Sequence, residues 1–187
     1  TIDTNTLHVD SSNNRVGIGT TSPSDKLHIV NAGNVNNKIE CTASGSGANA
    51  ALNLKSADGG DYFIQTGNAV SGGLRVYDAG ASAERLRVDS SGRVGIGCTP
   101  TAQFDHNLIQ IGNQATLGAN AALSTTGQTF LTHNLYYDTG GTYQVFNTSN
   151  ANEGAIIQIR EGYFAFSNSA ATTGTPTVTE RMRIDSS

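Results

Sequence analysis

A few residues of this 187-residue chain have types and spacings that could do chemistry. His8, His28, His106 and His133 stand singly, with no His-Glu-x-x-His spacing and no paired cysteines beside them, so they do not form a zinc set. His8 and His28 alternate with apolar neighbours, as surface residues of strands do. Asp58-Gly59-Gly60-Asp61 brings two carboxylates to one turn, which suits a hard cation such as calcium. No further ligands accompany it, so a plain turn is the first expectation. Gly17-x-Gly19 lacks the third glycine and following helix of a nucleotide-binding loop. Tyr136, Tyr137, Tyr143 and Tyr163 could stack on a sugar, but core or inter-chain packing is the nearer reading. Cys41 and Cys98 could pair, yet Cys98 fills the slot that Thr20 occupies in an earlier copy of the same phrase, so free thiols are expected. Most acidic residues belong to turn phrases, and no carboxylate pair for glycoside cleavage stands out. No catalytic, cofactor or metal site is expected, and no enzyme activity.

The elements that carry these residues are repeated. Leu7-His8-Val9-Asp10-Ser11-Ser12 returns as Leu86-Arg87-Val88-Asp89-Ser90-Ser91 and as Met182-Arg183-Ile184-Asp185-Ser186-Ser187. Two copies continue into Arg15-Val16-Gly17-Ile18-Gly19-Thr20 and Arg93-Val94-Gly95-Ile96-Gly97-Cys98. The third stops at Ser187, where that continuation would begin, which reads as a fragment of something longer. Such repetition means a modular architecture. Each phrase reads as a hairpin. Leu86 and Val88 alternate with Arg85 and Arg87, Met182 and Ile184 with Arg181 and Arg183, and Leu7 and Val9 with Thr6 and His8. The apolar set is expected inward. The arginines are expected outward, in solvent or facing acids of a neighbouring chain. Asp89-Ser90-Ser91-Gly92 has type I turn residues, and the first copy carries one residue more. Gly17, Gly19, Gly95 and Gly97 leave a bare strand face, for close approach of another backbone or for a bulge or bend.

Composition sets the limits. Leu, Ile, Val and Phe make up roughly a fifth of the chain, near the level where a core becomes hard to build. Charge is sparse at 14% and the net charge is −4, which excludes a highly charged disordered tail and disfavours nucleic-acid binding. No run approaches the roughly 20 apolar residues of a bilayer-spanning helix. Modules this poor in large apolar groups would be marginal alone, so an obligate oligomer is expected.

No stretch has a helical period, and the fold class is all-β. Strands are expected at 26–30, 38–41, 51–55, 62–66, 73–77, 84–88, 107–112, 129–137, 143–147, 155–160, 163–166 and 180–184. Gly140-Gly141 and Glu161-Gly162 mark turns, and 170–176 reads as loop. In 107–112 either Ile109 or Ile111 could share the face of Leu108. Three segments result: residues 1–22, a hairpin ending a preceding module; 23–100, a first β module; and 101–187, a second module ending in the third copy.

The phrase at 180–187, with Val16 to Pro23 and Leu27-His28-Ile29, resembles the linker repeat of bacteriophage tail-fibre proteins. Asn134-Leu135-Tyr136-Tyr137-Asp138, leading to Thr179-Glu180-Arg181, is similar to a module of the same fibres. Cys98 in place of threonine, and Pro100 directly after Thr99, depart from that pattern. The resemblance implies an elongated homotrimer of tandem β-sandwich or β-prism-like modules joined by hairpin repeats. It would be a structural segment of the virion, extracellular, attached to other tail or capsid proteins and positioning the particle for host attachment. A carbohydrate-binding surface adhesin, a capsid-attached fibre and a polysaccharide-degrading tailspike are the alternative readings.

Overall fold

The computed structural model describes residues 6–45, 47–67, 73–101, 106–120, 128–137, 142–146, 152–160 and 162–185. The chain divides into two compact units, Thr1–Glu40 and Cys41–Ser187. All regular elements among the described residues are β-strands, so the fold is all-β.

The first unit holds β1 (Leu7–Asp10), β2 (Arg15–Ile18) and β3 (Leu27–Ile29) in one sheet. β1 and β2 form the expected hairpin, with Leu7 opposite Ile18 and Val9 opposite Val16. Asp10 organises its turn by accepting the backbone N–H groups of Ser12 and Asn13, both at 3.1 Å. Asn14 closes the turn at φ 54°, a left-handed conformation that asparagine tolerates. β3 then pairs with β2 in parallel, Val16 facing Leu27 and Ile18 facing Ile29. The connecting loop is pinned by Arg15, whose guanidinium donates to the Pro23 carbonyl at 2.8 Å. It is also pinned by His28, whose Nδ1 accepts the Ser24 N–H at 3.2 Å. Residues 38–41, expected as a strand, form none. They gain no partner strand, Ile39 is exposed, and Lys38 pairs with Glu40 in solvent.

The second unit contains one sheet of eleven strands: β4 (Asn49–Lys55), β5 (Asp61–Gly67), β6 (Leu74–Asp78), β7 (Ala83–Val88), β8 (Val94–Ile96), β9 (His106–Ile111), β10 (Ala115–Asn120), β11 (Gln128–His133), β14 (Asn152–Arg160), β15 (Tyr163–Thr172) and β16 (Val178–Asp185). Each strand lies beside its neighbour in sequence except where β11 meets β14, and every pairing is antiparallel except β8 with β9. A separate hairpin, β12 (Leu135–Tyr137) with β13 (Tyr143–Val145), completes the unit.

The second copy of the repeated phrase rebuilds the first. β7 and β8 form the hairpin, and β9 pairs in parallel with β8, Val94 facing Ile109 and Ile96 facing Ile111. Asp89 accepts the N–H groups of Ser91 and Arg93, and Gly92 sits at φ 79°, where the first copy has Asn14. Arg93 donates to the Thr101 carbonyl at 2.8 Å, as Arg15 does to Pro23. Gln110 stands where His28 stands, its Oε1 accepting the Thr101 N–H at 3.1 Å. The glycines divide the two roles foreseen for them. A Cβ at Gly17 would collide with the Thr20 carbonyl, and one at Gly95 with the Cys98 carbonyl, because the chain folds back over both. Gly19 and Gly97 supply the left-handed turn that ends the strand, at φ 74° and 67°, and Gly19 also meets the Val30 carbonyl, where a Cβ would collide.

Other expectations are corrected. The run 129–137 is broken at Asn134, whose φ of 55° turns the chain out of the large sheet into β12. β10 was not expected, its Ala-Thr-Leu-Gly-Ala-Asn sequence being poor in β-formers. β15 runs on to Thr172, through part of the expected loop, because β14 and β16 both offer it partners. The Gly140-Gly141 turn and Glu161 fall outside the described residues.

Candidate functional site

The large sheet has two unlike faces. One is lined by Gln65, Gln110, Thr116, Gly118, Thr132, Gly154, Gln158 and Ala165, with Phe130 and Ile156 among them. The chain covers part of this face itself. Phe130, Leu135, Val145 and Ile156 form its buried core, with Tyr143 and Val178 against them. The small residues make that packing possible: a Cβ at Gly154 would strike the Leu135 side chain, and one at Gly118 would lie 2.7 Å from the Phe130 ring. The buried Thr116 and Thr132 hydroxyls pair with each other at 2.6 Å.

The opposite face is apolar and uncovered. Cross-strand partners share a face, so the registers trace a row from Leu74 through Val88, Val94, Ile109, Leu117, Leu131, Ile157 and Phe166 to Met182. A second row joins Leu52, Ile64, Val76, Leu86, Ile96 and Ile111. Leu131 is 48% exposed, Leu117 46% and Met182 52%. Such a patch exceeds what a monomeric protein ordinarily shows to water. It is the strongest candidate for function on the described surface, and its chemistry is apolar association.

Of the arginines expected outward, Arg85, Arg181 and Arg183 are exposed, while Arg87 lies instead on the covered face, opposite to Leu86 and Val88. Arg87 and Glu84 lie on the covered face at 12% and 13% side-chain exposure, and the guanidinium grips the carboxylate with two bonds of 2.6 Å. Residues three apart on a regular strand face opposite ways. Here a β-bulge at Arg85 puts Leu86 opposite Val76 and Glu84 opposite Tyr77, returning Glu84 and Arg87 to one side. The third copy repeats the device: the bulge falls at Arg181, and Arg183 holds Glu180 at 2.9 and 2.7 Å. The arginines find partners in their own chain. Arg85 binds Asp78 at 2.6 Å, and Arg181 binds the Asn168 carboxamide oxygen at 2.6 Å. The Arg85 guanidinium, helped by the Ala81 N–H, holds the Asp78 carboxyl below its ordinary range.

The residues considered for chemistry do not converge. His8 faces Gly17, His28 is engaged with Ser24, and His133 ends β11; the side chain of His106 is outside the described residues. Among the described residues no cluster of His, Cys, Asp or Glu could hold a metal ion. Asp58-Gly59-Gly60-Asp61 forms a turn, with Gly59 at φ 101° and Asp61 directed at Lys55 and Asn53. Cys41 and Cys98 are free thiols, and burial pushes the Cys98 thiol up. Tyr136 packs on Phe146, Tyr143 accepts from Gln158, and Tyr163 lies under Arg183, so these three form no common platform. The Tyr137 side chain is outside the described residues. A polar recess of about 450 Å³ lies beside His133, Asn134, Asn152, Glu153 and Asn168, with Glu153 the carboxyl among its described lining residues.

No helix among the described residues is long and apolar enough to cross a membrane. No protein-family model and no curated protein matches the chain.

Proposed function

We propose that the chain is a structural segment of a bacteriophage tail fibre, a homotrimeric β-rich shaft that positions the virion for host attachment. The apolar face carries this reading, because among the described residues leucines, isoleucines and phenylalanines along it, Leu117, Leu131, Ile157 and Phe166 included, stay exposed. Closing half-exposed side chains of this kind against other copies contributes roughly 1 kcal/mol each. The need for partners comes from this face, and the number three comes from the resemblance of the repeated phrases to fibre linkers. In the assembled shaft the sheets meet through their apolar faces, and the hairpins near residues 22 and 100 mark the junctions of successive modules. The mechanism is mechanical: spacing, orienting and stiffening an appendage outside the host cell.

Light scattering combined with small-angle scattering tests the proposal. A particle of three chain masses with an elongated profile is expected. A compact monomer at micromolar concentration overturns it.

A further inference from the structure

The second copy of the hairpin phrase is extended by one strand more than the first. β9, which pairs in parallel with β8, gives its outer edge to β10, with Ile109 opposite Leu117 and Ile111 opposite Ala115. β3, which pairs in the same way with β2, has no strand on its other side among the described residues. Its backbone is nonetheless set for one. The Lys26 carbonyl accepts the Val16 N–H and the Val30 N–H donates to the Ile18 carbonyl, so the even-numbered residues from Lys26 to Val30 serve β2. The N–H and C=O groups of Leu27 and Ile29 therefore point to the outer edge. Leu27 is 59% exposed, whereas Ile109, its counterpart beside β10, is half-buried.

The chain that follows β3 offers a matching strand and leaves it unused. Residues 35–44 make no backbone hydrogen bond with any described residue. Lys38 and Glu40 pair at 2.6 Å, so their side chains share one side, as alternate residues of an extended segment do. Ile39 falls between them at 57% exposure. We infer that residues 36–40 of one copy add as an antiparallel strand to the outer edge of β3 in a neighbouring copy. Ile39 then stands opposite Leu27, and Asn37 opposite Ile29. This carries the row Val9, Val16, Leu27 on to Ile39, as Val88, Val94, Ile109 runs on to Leu117. The same register closed within one chain would leave a three-residue loop, Ala32-Gly33-Asn34, whose usual form has a residue at positive φ. None occurs between Val30 and Asn37, so the chain does not turn back on its own β3. This pairing rests on the assembly of copies proposed above.

The test uses the whole chain with Cys41→Ser and Cys98→Thr, threonine being the residue at the matching place in the first copy, to which Leu27→Cys and Ile39→Cys are added. Directly opposed strand residues lie within disulfide reach. After mild oxidation, covalent trimers are expected on a denaturing, non-reducing gel, and neither Leu27→Cys nor Ile39→Cys alone should give them. Hydrogen exchange supplies a second readout without new cysteines. The Leu27 and Ile29 amides of the parent chain should exchange about tenfold more slowly than those of Ile39→Pro, a change that an irregular linker tolerates but a paired strand does not. A disulfide confined to single chains, no disulfide at all, or equal exchange in the two chains overturns the pairing. Light scattering on the same samples separates the causes: a trimer without the crosslink removes the strand exchange alone, and a monomer removes the assembly with it.

Discussion

On one face of the eleven-stranded sheet the chain lays its own hairpin over glycine, threonine and glutamine; on the other it leaves leucine, isoleucine and phenylalanine in water. A folded monomer would ordinarily be built the other way round. The covered face is satisfied by geometry internal to the chain, through glycine recesses under Leu135 and Phe130, paired hydroxyls and a gripped carboxylate. The uncovered face has only van der Waals area to offer, which is useful to another copy and useless to this one. The covered face therefore governs whether the chain folds. Under the trimer proposal, the uncovered face governs whether it assembles.

Charge on the apolar face should break that division most severely. Leu131→Asp sits mid-row between Leu117 and Ile157 and is expected to cost more than about 2 kcal/mol of association per chain, read as loss of trimer by analytical ultracentrifugation. Ile156→Ala, on the neighbouring strand β14 but on the covered face, should cost about 2–5 kcal/mol of folding stability in urea titration. The two copies of the Glu-Arg phrase sharpen the contrast further. Glu84→Ala strands a largely buried guanidinium and is expected to cost about 3 kcal/mol, whereas Glu180→Ala should cost under about 1 kcal/mol.

The pH response should be smaller. Asp78 has a folded pKa below its unfolded value, so its contribution is complete above about pH 4 and is lost as pH falls through the folded pKa. Tm measured between pH 5 and pH 2 should fall less steeply in Asp78→Asn than in the parent chain. Smallest of all, His28→Gln should be nearly neutral in thermal melts while His28→Ala loses about 1 kcal/mol, because glutamine already plays this part at position 110.

Much of the fold was legible in the sequence. Turn residues and alternation located the repeated hairpins, and the poverty of large apolar side chains matched a small internal core. Alternation assigns residues to faces but does not say which face the chain itself will cover, and Leu86 and Val88, expected inward, lie half-buried on the face opposite its hairpin. The answer lay in long-range fits such as Gly154 beneath Leu135, which no local pattern encodes. The bulges at Arg85 and Arg181 were hidden similarly, since a one-residue slip shows only once a partner strand is present. A signal did exist for the His28 and Gln110 equivalence. Both follow a proline-bearing loop and sit between apolar residues, but the unequal loop lengths concealed it. The same alternation revealed the apolar face once the registers were known.

The order of strands in the large sheet carries a kinetic meaning. Nearly every ladder joins segments adjacent along the chain, so each hairpin can close soon after it leaves the ribosome, with little entropy spent on bringing distant parts together. Under the trimer proposal, the slow stage is then the encounter of separate molecules, and the yield of assembled shaft would follow the local abundance of nascent chains.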